Sequence, residues 1–366
     1  MTAQQIVVFL LMLSTLVVLH EYGHFIVARL NGVRVTDFAV GFGPTILRWT
    51  SPRSGTNYRI NLLPLGGYCQ MKGEDGKSTE AEQQREFRTG EVFEHDNFQA
   101  KSPLQRLSIV CAGPVANFIV ALVILFGGAL IFGVPGSKPT TKIVQLIPGY
   151  PAQKAGMREG DRIVSINGKT ITDGNELIDV VHRSPGKPLR IVYERNGSDA
   201  TVVATPIVRP DGKQVGYLGF RPLPEMQRVG VGEAWQSSWA QFSGILTQTL
   251  GALGTLVTHP ASVAGQVQGP IGMARVSAQA QEFGPAVTLS LSAMISISLG
   301  IFNFLPFPAL DGGRAVFILV EMLRGRPVDP EKEALVHVGG FAVIIALMIA
   351  VSFHDVSAAI SGRSVF

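Results

Sequence analysis

Four long apolar stretches constrain this chain more than any other feature of its sequence. They cover residues 6–30, 107–132, 287 to about 310 and about 335 to 353. A helix that crosses the hydrocarbon core of a bilayer needs about 20 mostly apolar residues. We therefore expect a polytopic α-helical membrane protein with about four transmembrane helices. A cleaved signal peptide is the alternative for the first stretch, but the amino end MTAQQ is not basic and no A-x-A site follows.

Composition supports a membrane protein and argues against other classes. Only 16% of the 366 residues are charged, whereas an average soluble domain carries about 25%. The net charge is +4, but the cations form no basic run with interleaved aromatic residues, so we expect no nucleic-acid partner. Cys69 and Cys111 are the two cysteines, too few for a disulfide framework or a cysteine-rich zinc site.

The distribution of lysine and arginine predicts the orientation of the apolar stretches. These residues follow the first stretch, precede the second and lie between the third and fourth, and such flanks are cytoplasmic by the positive-inside rule. The opposite flanks hold few cations. We therefore expect a multi-pass protein in the lipid bilayer, with both termini and the segment from about 133 to 286 outside the cytoplasm.

The outside segment contains a compact soluble region. From 141 to about 206, strand-like runs alternate with turns, and a helix is predicted over 175–182. The order of PAQKAGM, GDRI and ING resembles a PDZ domain. PDZ domains bind extended peptides by strand addition, and we expect the loop with Gly149 and Tyr150 to hold the peptide carboxylate. A steric cap without peptide binding is the alternative.

These features predict four parts of the chain. Residues 1–132 are the first half of the membrane domain, 133–229 an extracytoplasmic PDZ-like α/β domain with its linker, 230–285 an amphipathic interfacial segment, and 286–366 the second half of the membrane domain. The interfacial segment carries Trp235 and Trp239 at helical spacing, and tryptophan favours the membrane interface. A fifth crossing is the alternative, although the glycines and polar residues of this segment make it a poor span.

The first apolar stretch contains the sequence His20-Glu21-Tyr22-Gly23-His24. Histidines four residues apart lie on one face of an α-helix, where both imidazoles can bind one metal ion. Glu21 lies between them, where its carboxylate can reach a metal-bound water as a general base. Ionisable groups are expensive to bury in lipid. The cluster therefore indicates a functional site rather than polar side chains that extend to the membrane interface.

A third metal ligand is expected because catalytic zinc sites generally have three from the protein. Asp311 lies at the cytoplasmic end of the third stretch, after Asn303 and two prolines, and non-helical backbone at this depth is tolerated beside a water cavity. The charge count places Asp311 at the depth of the two histidines. A helix cap is the alternative for this residue. The other histidines fit less well by position; they are His95, His182, His259 and His337.

Residues 59–71 predict a β-hairpin of apolar residues around Pro-Leu-Gly-Gly. A membrane-associated hairpin would offer an edge to an unwound substrate, through Leu63, Gly66 and Gly67. A soluble hairpin is the alternative, because alternation does not determine depth. The charged segment 74–101 is expected to be a solvated loop or a lid. In the second stretch, Gly113 and Gly127 predict close helix packing and no chemical role.

The pairing of HEYGH near the amino end with Leu310-Asp311-Gly312-Gly313 near the carboxyl end resembles the site-2 protease family of intramembrane zinc metalloproteases. Within that family it resembles the bacterial RseP-type regulators of sigma-E. The resemblance covers nearly the whole chain and includes GFGP at 41–44, LPLGGY at 63–68, AGPVANF at 112–118 and GPIG at 269–272. Some members carry two tandem PDZ domains, whereas residues 206–230 show no second copy.

The resemblance implies a site and an activity. His20, His24 and Asp311 would bind Zn²⁺, Glu21 would activate water, and Asn303 would hold the substrate backbone. The enzyme would hydrolyse peptide bonds within or near the transmembrane segment of single-span proteins of the bacterial cytoplasmic (inner) membrane, such as an anti-sigma factor or remnant signal peptides. The residues themselves leave two other classes open, a non-enzymatic PDZ scaffold and a metal transporter.

Overall fold

The computed structural model describes residues 1–74, 94–208, 215–259, 269–326 and 328–360. Most of the predicted lid therefore lies outside the described residues. The chain forms two compact units. One comprises residues 1–126, 238–281 and 287–365, and the other comprises 127–237 and 282–286.

Helices and strands are named in chain order. The helices are α1 (Ala3–Leu30), α2 (Pro103–Phe132), α3 (Pro151–Lys154), α4 (Gly174–His182), α5 (Val231–Thr258), α6 (Pro270–Phe283), α7 (Pro285–Phe304), α8 (Asp311–Arg324) and α9 (Pro330–Ile360). The strands are β1 (Val35–Thr50), β2 (Asn57–Met71), β3 (Val134–Leu146), β4 (Arg162–Ile166), β5 (Lys169–Thr170), β6 (Leu189–Arg195), β7 (Ser198–Ala204), β8 (Ile207–Val208), β9 (Gly216–Tyr217) and β10 (Phe220–Gln227).

Four helices of the described chain are long and apolar enough to cross a membrane: α1, α2, α7 and the Lys332–Phe353 part of α9. This confirms the four predicted apolar helices. The third ends at Phe304 rather than near 310, because Pro306 lacks a backbone N–H and disfavours a helical conformation in the residue before it. The short non-helical loop that follows leads into α8.

Helix α5 packs one face against its neighbours. Phe242 is buried in a cluster with α2 residues, including Ala121, and α7 residues, including Ile297. Trp235 and Trp239 are half exposed, at 50% and 52%. The predicted amphipathic pattern therefore contains two faces: Phe242, Leu246 and Leu253 lie in or against the cluster, and the tryptophans lie outside it. The interfacial position of this segment stays a prediction.

The small sheet of the first unit has a different pairing from the predicted hairpin. Residues 35–40 pair with 67–71 on one side, and residues 37–40 pair with 57–60 on the other. Residues 45–50 pair with 57–61. The segment 59–71 therefore does not close on itself, because residues 35–40 lie between its two halves. The outermost segments of this sheet are 45–50 and 67–71.

The bend of β2 contacts the middle of α1. The Ser14 hydroxyl donates a hydrogen bond to the carbonyl oxygen of Pro64. Ser14 precedes His20 by six residues, which is about 9 Å along a helix axis. Leu62 and Leu63 beside the bend are 58% and 51% exposed. Exposed leucines next to the middle of an apolar helix favour the membrane-associated alternative over the soluble one.

The second unit is built around a six-stranded sheet with the order β10-β3-β4-β6-β7, and β5 pairs with β4. Ile143, Ile163 and Ile191 are buried in its core together with Leu177 of α4. Helix α4 begins after Asp173, whose side chain accepts a hydrogen bond from the Glu176 N–H. This β-rich region is PDZ-like, as expected. The sheet extends beyond 141–206, because Val134 at the start of β3 pairs with Gln227 at the end of β10.

Candidate metal centre

His20 and His24 lie one turn apart near the end of α1, with their imidazoles on the same face. Their Nε2 atoms are 3.3 Å apart, and both residues are buried. Asp311 is the first residue of α8. Its Oδ2 lies 3.2 Å from His20 Nε2 and 3.4 Å from His24 Nε2. The fold therefore brings together the three ligands predicted from opposite ends of the chain.

Asp311 does not act as a helix cap. The N-cap of α8 is Leu310, which has no side-chain capping bond. The Asp311 carboxylate faces the imidazoles instead, and its Oδ2 is buried without a hydrogen-bond partner among the described residues. A buried carboxylate oxygen in this position calls for a cation.

Hydrogen bonds from the other ring nitrogens orient the two imidazoles. His24 Nδ1 lies 2.8 Å from the carbonyl oxygen of Ile109, so Nδ1 carries the proton and Nε2 carries the lone pair. His20 Nδ1 lies 3.0 Å from the side-chain amide of Asn117. The Asn117 Oδ1 has no other partner in the described chain, and an amide turned to accept the Nδ1–H satisfies both groups. Such outer partners are typical of metal-ligating histidines.

The three ligand atoms fit a zinc ion. Their separations are 3.2, 3.3 and 3.4 Å. A tetrahedron with bonds of about 2.0–2.1 Å has edges of about 3.3 Å. Two imidazole nitrogens and one carboxylate oxygen are also an established donor set for catalytic zinc, with one position left for the reactants.

Gly113 of α2 lies directly against the imidazoles. A Cβ at this position would be 2.2 Å from His24 Nε2 and 2.7 Å from His20 Cε1. The absence of a side chain therefore leaves room at the ligand atoms themselves. The close helix approach predicted for Gly113 is therefore present, between α1 and α2, and the atoms in contact are those of the two histidines. A Cβ at Gly127, by contrast, would meet nothing within 4 Å.

A cavity of about 450 Å³ opens beside the three ligands. Glu21 lines it, as does Cys69 of the outer segment of β2. Burial raises the pKa of the Cys69 thiol, and Cys69 is not among the three residues whose ligand atoms converge. The remaining lining residues are His24, Tyr68, Met71, Glu74, Val110, Ala309, Leu310, Asp311, Arg314, His337, Val338 and Phe341.

An ion pair joins β2 to α8 at the edge of this cavity. The Arg314 guanidinium contacts the Glu74 carboxylate, whose other oxygen accepts a hydrogen bond from the Met71 N–H at 3.1 Å. Burial alone would lower the pKa of Arg314, but the Glu74 carboxylate raises it above its ordinary value. The pair thus connects the end of the outer strand segment to the helix that begins with Asp311.

Three other predicted site residues have hydrogen-bond partners close to them in the sequence. Asn303 donates its amide to the Leu299 carbonyl oxygen on its own helix, at 3.0 Å. In the PDZ-like unit, the Gly149 N–H donates to Gln153 Oε1 at 2.7 Å and the Tyr150 N–H to the Ile147 carbonyl oxygen at 3.3 Å. Substrate-binding roles for these residues stay predictions.

Sequence reasoning missed Asn117 and His337. Asn117 is a fully buried amide inside the apolar stretch 107–132, which has no charged residue, and polar groups at such positions signal a functional site. His337 was set aside by its position at the start of the fourth helix, yet it lines the same cavity as Glu21 and Asp311.

Two imidazoles, a carboxylate and an adjacent glutamate among apolar helices define a membrane metallohydrolase. Residues 8–347 match the family model described as Peptidase family M50. The chain is 30% identical to the zinc metalloprotease RasP of Geobacillus kaustophilus, over 97% of this chain and 98% of the relative. It is 32% identical to RasP of Bacillus licheniformis, over 96% and 98%. It is 30% identical to the regulator of sigma-W protease RasP of Bacillus subtilis, over 97% and 99%.

This chain therefore belongs to peptidase family M50, the site-2 proteases. It is a zinc metalloprotease, which confirms the expected enzyme class and cofactor and disfavours the scaffold and transporter alternatives. Among solved structures, the PDZ domain of the SdrC-like protein from Listeria monocytogenes is 20% identical, with a TM-score of 0.21, and covers 24% of this chain and 93% of its own.

Proposed function

We propose that this protease hydrolyses peptide bonds within or near the transmembrane segments of single-span membrane proteins. His20, His24 and Asp311 hold the zinc ion, and Glu21 is the general base. The convergence of the three ligand atoms at 3.2 to 3.4 Å, beside a cavity lined by Glu21, carries this proposal.

The residues divide the chemistry among themselves. When bound, zinc supplies a Lewis acid that polarises the scissile carbonyl and acidifies the attacking water. Glu21 lines the cavity next to the ligands, where its carboxylate takes a proton from that water and returns it to the leaving amide nitrogen. Ile109 and Asn117 keep the Nε2 atoms of the histidines directed at the metal by hydrogen-bonding their Nδ1 atoms.

The substrate is presented as an extended strand. A transmembrane helix has its peptide groups hydrogen-bonded internally, so it must unwind before its carbonyls can react. Residues 67–71 form an outer segment of the β1–β2 sheet, and Tyr68, Cys69 and Met71 line the cavity. Strand addition to this segment would place the substrate backbone beside Glu21. Leu63, Gly66 and Gly67 contact the substrate at the bend, and Asn303 offers its amide to the substrate backbone.

The PDZ-like unit selects substrates from outside the cytoplasm. Its exposed sheet edges suit strand addition, with Gly149 and Tyr150 in the loop that holds the peptide terminus. Single-span proteins already shortened by another protease are the expected substrates, such as an anti-sigma factor or remnant signal peptides. The name of the Bacillus subtilis relative, a regulator of sigma-W protease, supports the anti-sigma class. The protease would lie in the bacterial inner membrane, with both termini outside.

Substitution of Glu21 by glutamine tests the chemistry. We expect Glu21→Gln to keep stoichiometric zinc and to lower the cleavage rate of a co-expressed single-span substrate by at least about 10²-fold, because a general base contributes about 10²–10⁴-fold. Zinc is measured by mass spectrometry on the purified protein, and cleavage by gel mobility.

The exposed Glu233 at the start of α5 provides the control. Glu233→Gln should leave both the zinc content and the cleavage rate unchanged. Cleavage at the parental rate by Glu21→Gln would show that another group removes the proton.

A further inference from the structure

His337 of α9 is joined to the loop that precedes Asp311. Its Nδ1 accepts a hydrogen bond from the backbone N–H of Ala309, at 2.9 Å. Ala309 has φ +73°, and the other left-handed residues of the described chain are asparagines or glycines. A residue with a Cβ rarely adopts this conformation unless its surroundings hold it there.

The same face of α9 touches the loop at a second point. A Cβ on Gly340, three residues after His337, would lie 2.4 Å from Pro308 Cβ and 2.6 Å from the Pro308 carbonyl oxygen. On the side of α8, the ring of Phe317 lies 5.6 Å from the His337 ring, centroid to centroid. The imidazole is therefore held between two helices while it accepts the bond from the loop.

The direction of this hydrogen bond determines the tautomer of His337. Because Nδ1 accepts from Ala309, a neutral ring carries its proton on Nε2. This Nε2 is buried without a hydrogen-bond partner among the described residues, and the nearest carboxylate oxygen, from Glu333, is 3.8 Å away. His337 lines the cavity that contains Glu21 and Asp311.

We propose that His337 is a positioning residue for Asp311. By accepting the Ala309 N–H it holds the left-handed turn, and the turn fixes the first residue of α8 two positions later, with its carboxylate opposite the imidazoles. The inference rests on the proposed role of Asp311 as a zinc ligand. Asn117 and Ile109 of α2 orient the two histidines. His337 of the fourth apolar helix, α9, would in the same way orient Asp311.

Three variants separate the hydrogen bond from the bulk of the side chain. His337→Phe keeps a ring and removes the acceptor. His337→Asn places an amide oxygen near the position of Nδ1 and removes the Nε2–H. Ala309→Gly, added to His337→Phe, lets the turn adopt φ +73° without the acceptor, because glycine has no Cβ.

The readout is the transfer of zinc from the purified full-length protein to a competing chelator. We expect His337→Phe to bind zinc about 10- to 100-fold more weakly, the usual effect of losing an outer partner of a metal ligand. His337→Asn should retain zinc like the parent, and Ala309→Gly should restore part of the affinity lost by His337→Phe. The cleavage rates should follow the same order when zinc is in excess.

Control variants distinguish a failure of this inference from a failure of the proposed zinc site. Val336, next to His337, is 43% exposed, and Val336→Phe should keep parental zinc affinity. Asp311→Ala should lose zinc; if it does not, the proposed ligand set is wrong. If Asp311→Ala loses zinc and His337→Phe does not, the positioning role alone is overturned. If His337→Phe fails to fold, His337→Gln replaces it, because the longer side chain carries its amide oxygen away from the position of Nδ1. Equal zinc loss in His337→Asn and His337→Gln would overturn the role of the Nδ1 acceptor.

Discussion

Gly113 shows how closely the imidazoles are packed at the scale of single residues. We predict that Gly113→Ala lowers zinc affinity by at least about 10-fold, since disturbing the groups that orient a metal ligand typically costs 10–100-fold. The added Cβ would lie 2.2 Å from His24 Nε2, so the ring must move away from the metal. Zinc content of the purified variant and its cleavage rate measure the effect.

Gly127 on the same helix is the matched control. Alanine there meets no atom within 4 Å, and it should bind zinc normally and melt no earlier than the parent, because alanine favours a helix by about 0.8–1.0 kcal/mol over glycine. Equal zinc affinity in Gly113→Ala and Gly127→Ala would mean that the imidazoles can be displaced without harm to the site.

The sequence predicted the local part of the site and missed its long-range partners. His20 and His24 follow from helical spacing alone, because residues four apart share a face. Asp311 required the additional arguments of depth and family resemblance. Ile109 and Asn117 lie 85 and 97 residues from the histidines that they orient. No periodicity connects such positions, since only the packing of α1 against α2 brings them together.

At the scale of elements, the β1–β2 sheet carries large apolar side chains that the described residues leave more than half exposed. Ile46, Leu47, Trp49 and Leu62 are 54–58% exposed. We predict that a spin label at position 62, attached to an encoded ketone residue, lies in the lipid. Its relaxation should be enhanced more by oxygen than by a water-soluble nickel complex, because oxygen concentrates among the acyl chains. Burial of these side chains in lipid removes their apolar surface from water.

A label at position 169 provides the comparison. The Lys169 side chain on β5 is 69% exposed, and its label should be relaxed mainly by the nickel complex. The measurement is made by electron paramagnetic resonance in reconstituted vesicles. Preferential nickel relaxation at position 62 would place the bend in water and contradict the membrane-associated sheet.

Element boundaries have local causes even where the predicted bound was wrong, as for the third apolar stretch, which was expected to reach about 310 and ends at Phe304. The end of α7 before Pro306 and the start of α4 after Asp173 have local causes, the missing N–H of proline and a side-chain cap. The pairing of 59–71 was not predictable in the same way. Alternation marks a strand, but it carries no information about which strand lies next to it.

At the scale of the whole molecule, the PDZ-like unit can be removed at a natural junction. Val134 pairs with Gln227, so the ends of the sheet are neighbours and a two-residue Asn-Gly turn can join them. We predict that replacing 135–226 with this turn leaves cleavage of a pre-trimmed substrate unchanged and increases cleavage of the intact one. The ratio of the two rates, measured in the same membranes, reports selection.

The same deletion combined with Glu21→Gln should cleave neither substrate. This control shows that the added activity comes from the same centre. An unchanged ratio of intact to trimmed cleavage would argue that the PDZ-like unit does not select substrates.

Fold class was predictable for the whole chain because its strongest signals are long. Four apolar stretches and a polar insert are visible over windows of 20 residues or more. The strands at the ends of the insert were not predicted individually, because residues 134–140 and 220–227 lie outside the region of visible alternation and join the sheet through the pairing of β3 with β10.

The separation of the zinc ligands along the chain has a consequence for biosynthesis. Two of the proposed ligands lie on α1, and Asp311 follows only after the third apolar helix, α7. A nascent chain that has not yet inserted its third and fourth apolar helices holds an incomplete ligand set. We therefore expect a nascent chain to gain proteolytic capacity only after Asp311 has been synthesised.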